Sequence, residues 1–256
     1  VKGLGGRTPL MQAALWNRFD IVKLLIDNGA NVNEKNNDGK TPLFWTTNSK
    51  IVQLLIDKGA NVNEKNNDGK TPLIIAALYN DIKKVDVLID NEADVNVKDN
   101  DGNTALLLSI DELNNEIAKL LIDAGANVNE KNNIGRTPLF HVHNLAQIRW
   151  LLTKGADPTI VDSFNQTAKD YCDDDACIEL LETAEEDFLV KKTKSEQEQR
   201  KRAREKFEQD QLTERARSEN LVRLREEQDA STVPLIRVYA PGVTAVSYTH
   251  LRAHET

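Results

Sequence analysis

The sequence predicts an all-α repeat solenoid that continues into a long charged helix. Three observations carry this reading: a segment that recurs almost verbatim, landmarks at even spacing, and helical periodicity of the apolar residues between them. The stretch from Leu24 to Leu43, LLIDNGANVNEKNNDGKTPL, returns at Leu54 to Leu73 with one change, Asn28 to Lys58. It returns again at Leu120 to Leu139 with three changes relative to the second copy. More divergent copies run from Val87 to Leu106 and end in LLTKGADPTIVDSFNQTA. The Gly-x-Thr-Pro-Leu landmarks begin at Gly6, Gly39, Gly69, Gly102 and Gly135, with a worn one at Asn165, so the spacings are 33, 30, 33, 33 and 30 residues.

Each unit has a physical reading. Thr8, Thr41, Thr71, Thr104 and Thr137 are favoured N-cap residues. Pro9, Pro42, Pro72 and Pro138 follow at the first helical position, where a missing N–H costs nothing. The first helix carries small residues, as at Ala13–Ala14 and Ala76–Ala77, which admit a close neighbour. The second helix places apolar residues at i, i+3 and i+4: Ile21, Leu24, Leu25; Ile51, Leu54, Leu55; Ile117, Leu120, Leu121. Gly29, Gly59, Gly125 and Gly155 then supply a left-handed C-terminal cap, with Glu92 in that place in the third unit. An Asn-Val-Asn segment and an Asn-Asp-Gly turn form an extended finger before the next Thr-Pro-Leu. The second and fifth units are three residues shorter, which predicts tight loops after Asn48 and Asn144.

The Gly-x-Thr-Pro-Leu and Gly-Ala-Asn/Asp-Val-Asn landmarks, recurring together in register from Gly5 to about Glu185, resemble the ankyrin repeat. The resemblance implies a stack of two-helix units joined by β-hairpin fingers. It covers five units and a worn capping unit over residues 1–185, with starts near 6, 39, 69, 102, 135 and 165. The chain departs from the family in having Met11, Phe44, Ile74, Leu107 and Phe140 where a His usually follows Thr-Pro-Leu. One unit cannot bury its apolar face alone, so the array needs caps. The polar helices between Asn165 and Glu182 suit a cap. No polar cap is visible at the other end, and Val1 stands without an initiator Met, which predicts a fragment of a longer protein.

The net charge is −8; residues 1–184 hold 19 Lys and Arg against 27 Asp and Glu, so the excess lies there. An acidic body argues against nucleic-acid binding, which needs basic surface to displace counterions. No apolar run reaches membrane-spanning length, and the two cysteines, Cys172 and Cys177, suit a reducing, cytoplasmic setting. Residues 186–229 predict a helix: from 185 to 229 there are 13 acidic and 12 basic residues and no Gly or Pro. Its apolar residues, Ala203, Phe207, Leu212, Ala216, Leu221 and Leu224, trace an imperfect coiled-coil seam. A solvated spacer and a weakly self-associating helix are the alternatives, and Arg200–Lys206 has the composition of a nuclear import signal. Residues 230–256 read as an unstructured tail, in which SYTHLRAHET from Ser247 looks like a translated adapter.

No catalytic constellation, metal site or cofactor site emerges. His141 and His143 form an H-x-H pair without further ligands at suitable spacing, and His250 and His254 lie in the tail. Cys172 and Cys177 read as core thiols. Asp38, Asp68 and Asp101 recur at one register as turn residues, whereas an acid–base pair would be expected once, in a cleft. Binding another protein, without catalysis, is the expected activity. The alternatives are a recruiting or regulatory part of a larger enzyme, a self-associating structural protein, or a host-directed effector.

The resemblance implies that a protein partner contacts the finger tips and the inner face of the first helices. Carried over by register, the tips present Asn37, Asp38, Lys40; Asn67, Asp68, Lys70; Asn100, Asp101, Asn103; and Asn133, Ile134, Arg136. The first helices end in Leu15 and Trp16, Leu78 and Tyr79, and Asp111 and Glu112, with Trp45 on the first helix of the second unit. Only 5% of the residues are aromatic, so Trp16, Trp45 and Tyr79 are the expected centre of the contact surface. Trp150 aligns with Lys23, Gln53 and Lys119, which predicts partial exposure on a second helix.

Overall fold

The computed structural model describes residues 3–111, 115–142 and 144–231. Its contacts divide the chain into two units, residues 1–193 and residues 194–256. The first unit is a run of helix pairs. These are α1 Pro9–Leu15 with α2 Phe19–Asp27, α4 Pro72–Leu78 with α5 Ile82–Asp90, and α6 Ala105–Asp111 with α7 Asn115–Asp123. In the short repeats the first member is a 3-10 helix: Pro42–Phe44 before α3 Ser49–Asp57, Pro138–His141 before α8 Leu145–Thr153, and Ala168–Tyr171 before α9 Asp175–Ser231.

The three residues missing from repeats two and five therefore come out of the first helix, and not out of the loop as the spacing suggested. With too few residues for an α-turn, the segment after Thr-Pro-Leu closes i→i+3 bonds and stops. Asn48 and Asn144 then cap the next helix, their Oδ1 atoms accepting from the Lys50 and Ala146 N–H groups. The Thr caps split the same way. Thr8, Thr71 and Thr104 accept from the N–H three residues on, at 3.2, 3.3 and 3.2 Å. Thr41 and Thr137, ahead of 3-10 helices, keep buried hydroxyls with no hydrogen-bond partner.

Each repeat buries the same stripe. Ile51, Val52 and Leu55 of α3, Val85 and Leu88 of α5, and Ile117, Ala118 and Leu121 of α7 are fully buried. The second helices α2, α3, α5 and α7 pack on one another in succession, and α4 packs on α6. In α2 the register is unchanged but the burial is not: Ile21 is 49% exposed where Ile51 and Ile117 are 0%.

The fingers differ from the implied β-hairpins. No strand occurs among the described residues; each finger is a pair of tight turns held by side chains. Asn36 Oδ1 accepts from the Asp38 and Lys40 N–H groups, and Asn66 repeats this with Asp68 and Lys70. Neighbouring fingers are then bonded in series. The Asn67, Asn100 and Asn133 N–H groups donate to the carbonyls of Asp38, Asp68 and Asp101. Their side-chain amides donate to the carbonyls of Asn37, Asn67 and Asn100 at 2.9, 2.9 and 2.8 Å.

The left-handed cap after each second helix is taken by Gly29, Gly59, Gly125 and Gly155, and in the third repeat by Glu92 at φ 62°. A non-glycine residue there carries a steric cost of about 1 kcal/mol or more, part of which glycine returns as unfolded-chain entropy. Glu92→Gly should stabilise the chain by about 0.5 kcal/mol, read as a higher urea midpoint at unchanged slope.

The cap of the array is also the start of the charged helix, since α9 runs from Asp175 to Ser231 as one element. Cys172 and Cys177, expected as core thiols, are joined by a disulfide between the last 3-10 helix and α9. The pair therefore no longer speaks for a reducing compartment. In the second unit, side chains 194–227 are exposed throughout, with i,i+4 pairs such as Arg202–Glu198 and Arg223–Glu227. Exposed pairs of this kind contribute a few tenths of a kcal/mol each.

Candidate functional site

Trp16 and Tyr79 each follow the last residue of a first helix, α1 and α4, and donate their backbone N–H back into it. A side chain in that position leaves the helix end and meets solvent. Trp16 is 69% exposed and Tyr79 74%. Leu15 and Leu78, one residue earlier, are half-buried.

Trp45 belongs to the short second repeat and is half-buried. The Arg7 guanidinium stacks on its ring at 4.1 Å, and Lys40 Nζ stands 5.4 Å from the ring centre. Its indole N–H is buried without a hydrogen-bond partner. The three aromatics expected at one centre therefore separate. Trp45 and Tyr79 line a cavity of about 300 Å³ with Phe44, Thr46, Asp81 and Lys84. Trp16 lines a different one, about 600 Å³, with Pro9, Ala13, Ile21 and Leu25 of α1 and α2.

The smaller cavity is a notch left by the missing helical turn, and its edges are pinned from both sides. From the preceding repeat, Asn17 sits at φ 52°, accepts from the Thr46 hydroxyl at 2.8 Å and donates to Thr47 Oγ1 at 3.1 Å. From the following repeat, Lys84 of α5 reaches back. Its ammonium donates to the Thr46 carbonyl at 2.9 Å, with the Phe44 carbonyl a weaker acceptor at 3.5 Å. These are backbone acceptors that a full first helix would have satisfied internally. Lys84 is 2% exposed, and burial pushes it down from 10.5 to about 8, while the Asp81 carboxylate pulls the other way. Asp81 caps α5, its Oδ1 accepting from the Lys84 backbone N–H.

Sequence reasoning passed over Lys84. The signal was present: Lys84 occupies the register of Ile21, Ile51 and Ile117, one repeat after a short one. A lysine in a register held elsewhere by isoleucine, or in repeat five by the neutral Gln147, marks a carbonyl that needs a donor.

The finger residues are exposed at Asn37, Asp38, Asn67, Asp68, Asn100 and Asp101, and half-buried at Lys40, Lys70, Asn103 and Arg136. Several already have work within the array. Asn67 and Asn100 bond the next finger down; Asn103 Oδ1 accepts from the Asn132 amide. Arg136 stacks on Tyr171 at 4.3 Å and pairs with Asp162 at 3.3 Å, which also accepts from the Tyr171 hydroxyl. Asp111 ends α6, while Glu112 and His143 lie outside the described residues, as do His250, His254 and the tail from 232. Among the described residues, no group of three His, Cys, Asp or Glu could hold a metal ion, and no helix is long and apolar enough to cross a membrane.

Stacked helix pairs with bonded fingers define a repeat array, with exposed aromatics at the ends of α1 and α4. A family model described as ankyrin repeats (3 copies) matches residues 10–99, 47–132 and 85–162, which together cover more than half of the chain. The chain belongs to the ankyrin-repeat family, whose repeats are protein–protein interaction modules. No curated protein matches it.

Proposed function

We propose that the chain is an interaction scaffold that holds a protein partner on the inner surface of the array. The observation that carries this is the exposure of Trp16 and Tyr79 at the ends of α1 and α4. Phe164 and Phe207 are as exposed, but tryptophan and tyrosine are the aromatic types enriched among interface anchors, and these two sit at the same register of two first helices. The polar fingers form the rim of such a surface, and near-identical tips leave specificity to the helix ends. The α9 segment beyond Lys194 acts as a spacer.

Affinity capture from a lysate with the whole chain, compared with Trp16→Ala/Tyr79→Ala, tests the surface. Removing two anchors should weaken capture by at least about 30-fold, at about 2 kcal/mol or more in total. Undiminished capture by a variant that still unfolds cooperatively would discard the assignment. The spacer role predicts a monomer in sedimentation velocity at high protein concentration; a dimer would instead favour self-association through the Phe207–Leu224 seam.

A further inference from the structure

The notch in repeat two is a built feature with unused donor capacity. An ammonium carries three N–H donors, and the Thr46 and Phe44 carbonyls engage two of those on Lys84. Lys40 stands at the mouth beside Trp45, and the one carboxylate among the lining residues is Asp81, whose Oδ1 caps α5 and whose Oδ2 is buried without a hydrogen-bond partner. Around Trp45, then, Arg7, Lys40 and Lys84 gather positive charge within a repeat domain whose own balance is −8, from 19 basic and 27 acidic residues. The volume, about 300 Å³, lies at the lower limit of small-molecule sites, so it suits one side chain and not a cofactor.

We propose that this notch receives a single acidic side chain of the protein partner, its carboxylate meeting Lys84 between Trp45 and Tyr79. The proposal rests on the interaction role above and names the chemistry of one contact within it. A basic side chain would meet two lining cations, Lys40 and Lys84, against the single carboxylate of Asp81. An apolar one would fill the space but leave the third Lys84 donor unmet. A carboxylate supplies both the acceptor and the opposite charge, and a desolvated cation gains most from a charged acceptor. Burial has already lowered the proton affinity of Lys84, which is the condition a counter-ion relieves.

The probe is N-acetylglutamate N-methylamide, with the neutral glutamine counterpart as control, titrated into the isotopically labelled full chain and followed by NMR. The Trp45 indole and Lys84 side-chain signals should shift, saturating in the millimolar range expected for so small a ligand. The acid should bind about fivefold tighter than the amide, the difference between charged and neutral hydrogen bonds, and Lys84→Met should erase that preference. Equal shifts from acid and amide, no shift at these signals, or shifts centred on the Trp16 cavity would overturn the proposal. If Lys84→Met does not fold, the acid–amide comparison on the unaltered chain decides alone. Should acid and amide prove equal while Trp16→Ala/Tyr79→Ala still abolishes capture, the notch contact falls and the interaction surface stands.

Discussion

Raising the pH from about 7.5 to about 10 should stabilise the folded chain by about 2 kcal/mol relative to Lys84→Met. The reason is the buried ammonium. Lys84 gives up its proton near 8 in the folded chain and near 10.5 once unfolded. Between those values the unfolded chain binds more protons, so stability rises with pH. Below about 8 the full cost of holding the charge in the interior is present, about 3 kcal/mol for a gap of that size. Urea unfolding of the two chains at several pH values reads the difference, and subtracting the variant removes the other alkaline titrations. A flat difference would mean that Lys84 is hydrated in the folded chain. At neutral pH the variant exchanges one cost for another: the charge goes, but the Thr46 and Phe44 carbonyls lose their donor, at about 1–3 kcal/mol for a buried acceptor.

Gly102→Ala should destabilise the array by about 3 kcal/mol or more, whereas Gly59→Ala should cost about 1 kcal/mol. Both glycines have positive φ, 79° and 86°. Around Gly59 an added methyl group meets nothing within 4 Å, so only the backbone preference is lost. At Gly102 the methyl carbon would stand 2.6 Å from the Asn133 backbone nitrogen and 3.0 Å from the Asn132 carbonyl carbon, and would overlap Asn133 Oδ1. Backbone cannot swing aside as a flexible side chain can, so the fourth finger must move off the third. That breaks the Asn133 bonds to Asp101 and Asn100. Denaturant midpoints of the two variants check the contrast; equal losses would show that the finger contact contributes nothing beyond the glycine's own conformation.

Much of the fold is legible in the residues because each landmark has a local cause. Thr-Pro starts helices, Gly or Glu92 ends them, and the i, i+3, i+4 stripe fixes which side is buried. What the spacing could not reveal was where a missing turn would be taken. Loop and helix compete for the same three residues. The outcome is decided by Asn48 and Asn144, which cap the second helix and so leave the deficit to the first. The exposed positions of Trp16 and Tyr79 follow from register alone. The half-burial of Trp45 does not, because it depends on Arg7 and Lys40, which reach its ring from the same register of the two preceding turns. Lys84 escaped for a similar reason, since its partner carbonyls belong to a turn whose shape is set one repeat earlier. The disulfide was out of reach because spacing by five fits buried thiols equally well.

The bonded fingers also give a physical meaning to the verbatim recurrence of NEKNNDGK. In a tip that both donates to the finger before it and accepts from the finger after it, the two edges must be complementary to each other. Such a tip is a tile that fits its own copy. Drift at one tip then spoils two joints, so uniformity can be maintained by selection and need not record how lately the units were copied. A tile of this kind also lets whole units be gained or lost in steps of 30 or 33 residues while every remaining joint still closes. The length of the array can therefore change faster than its surface.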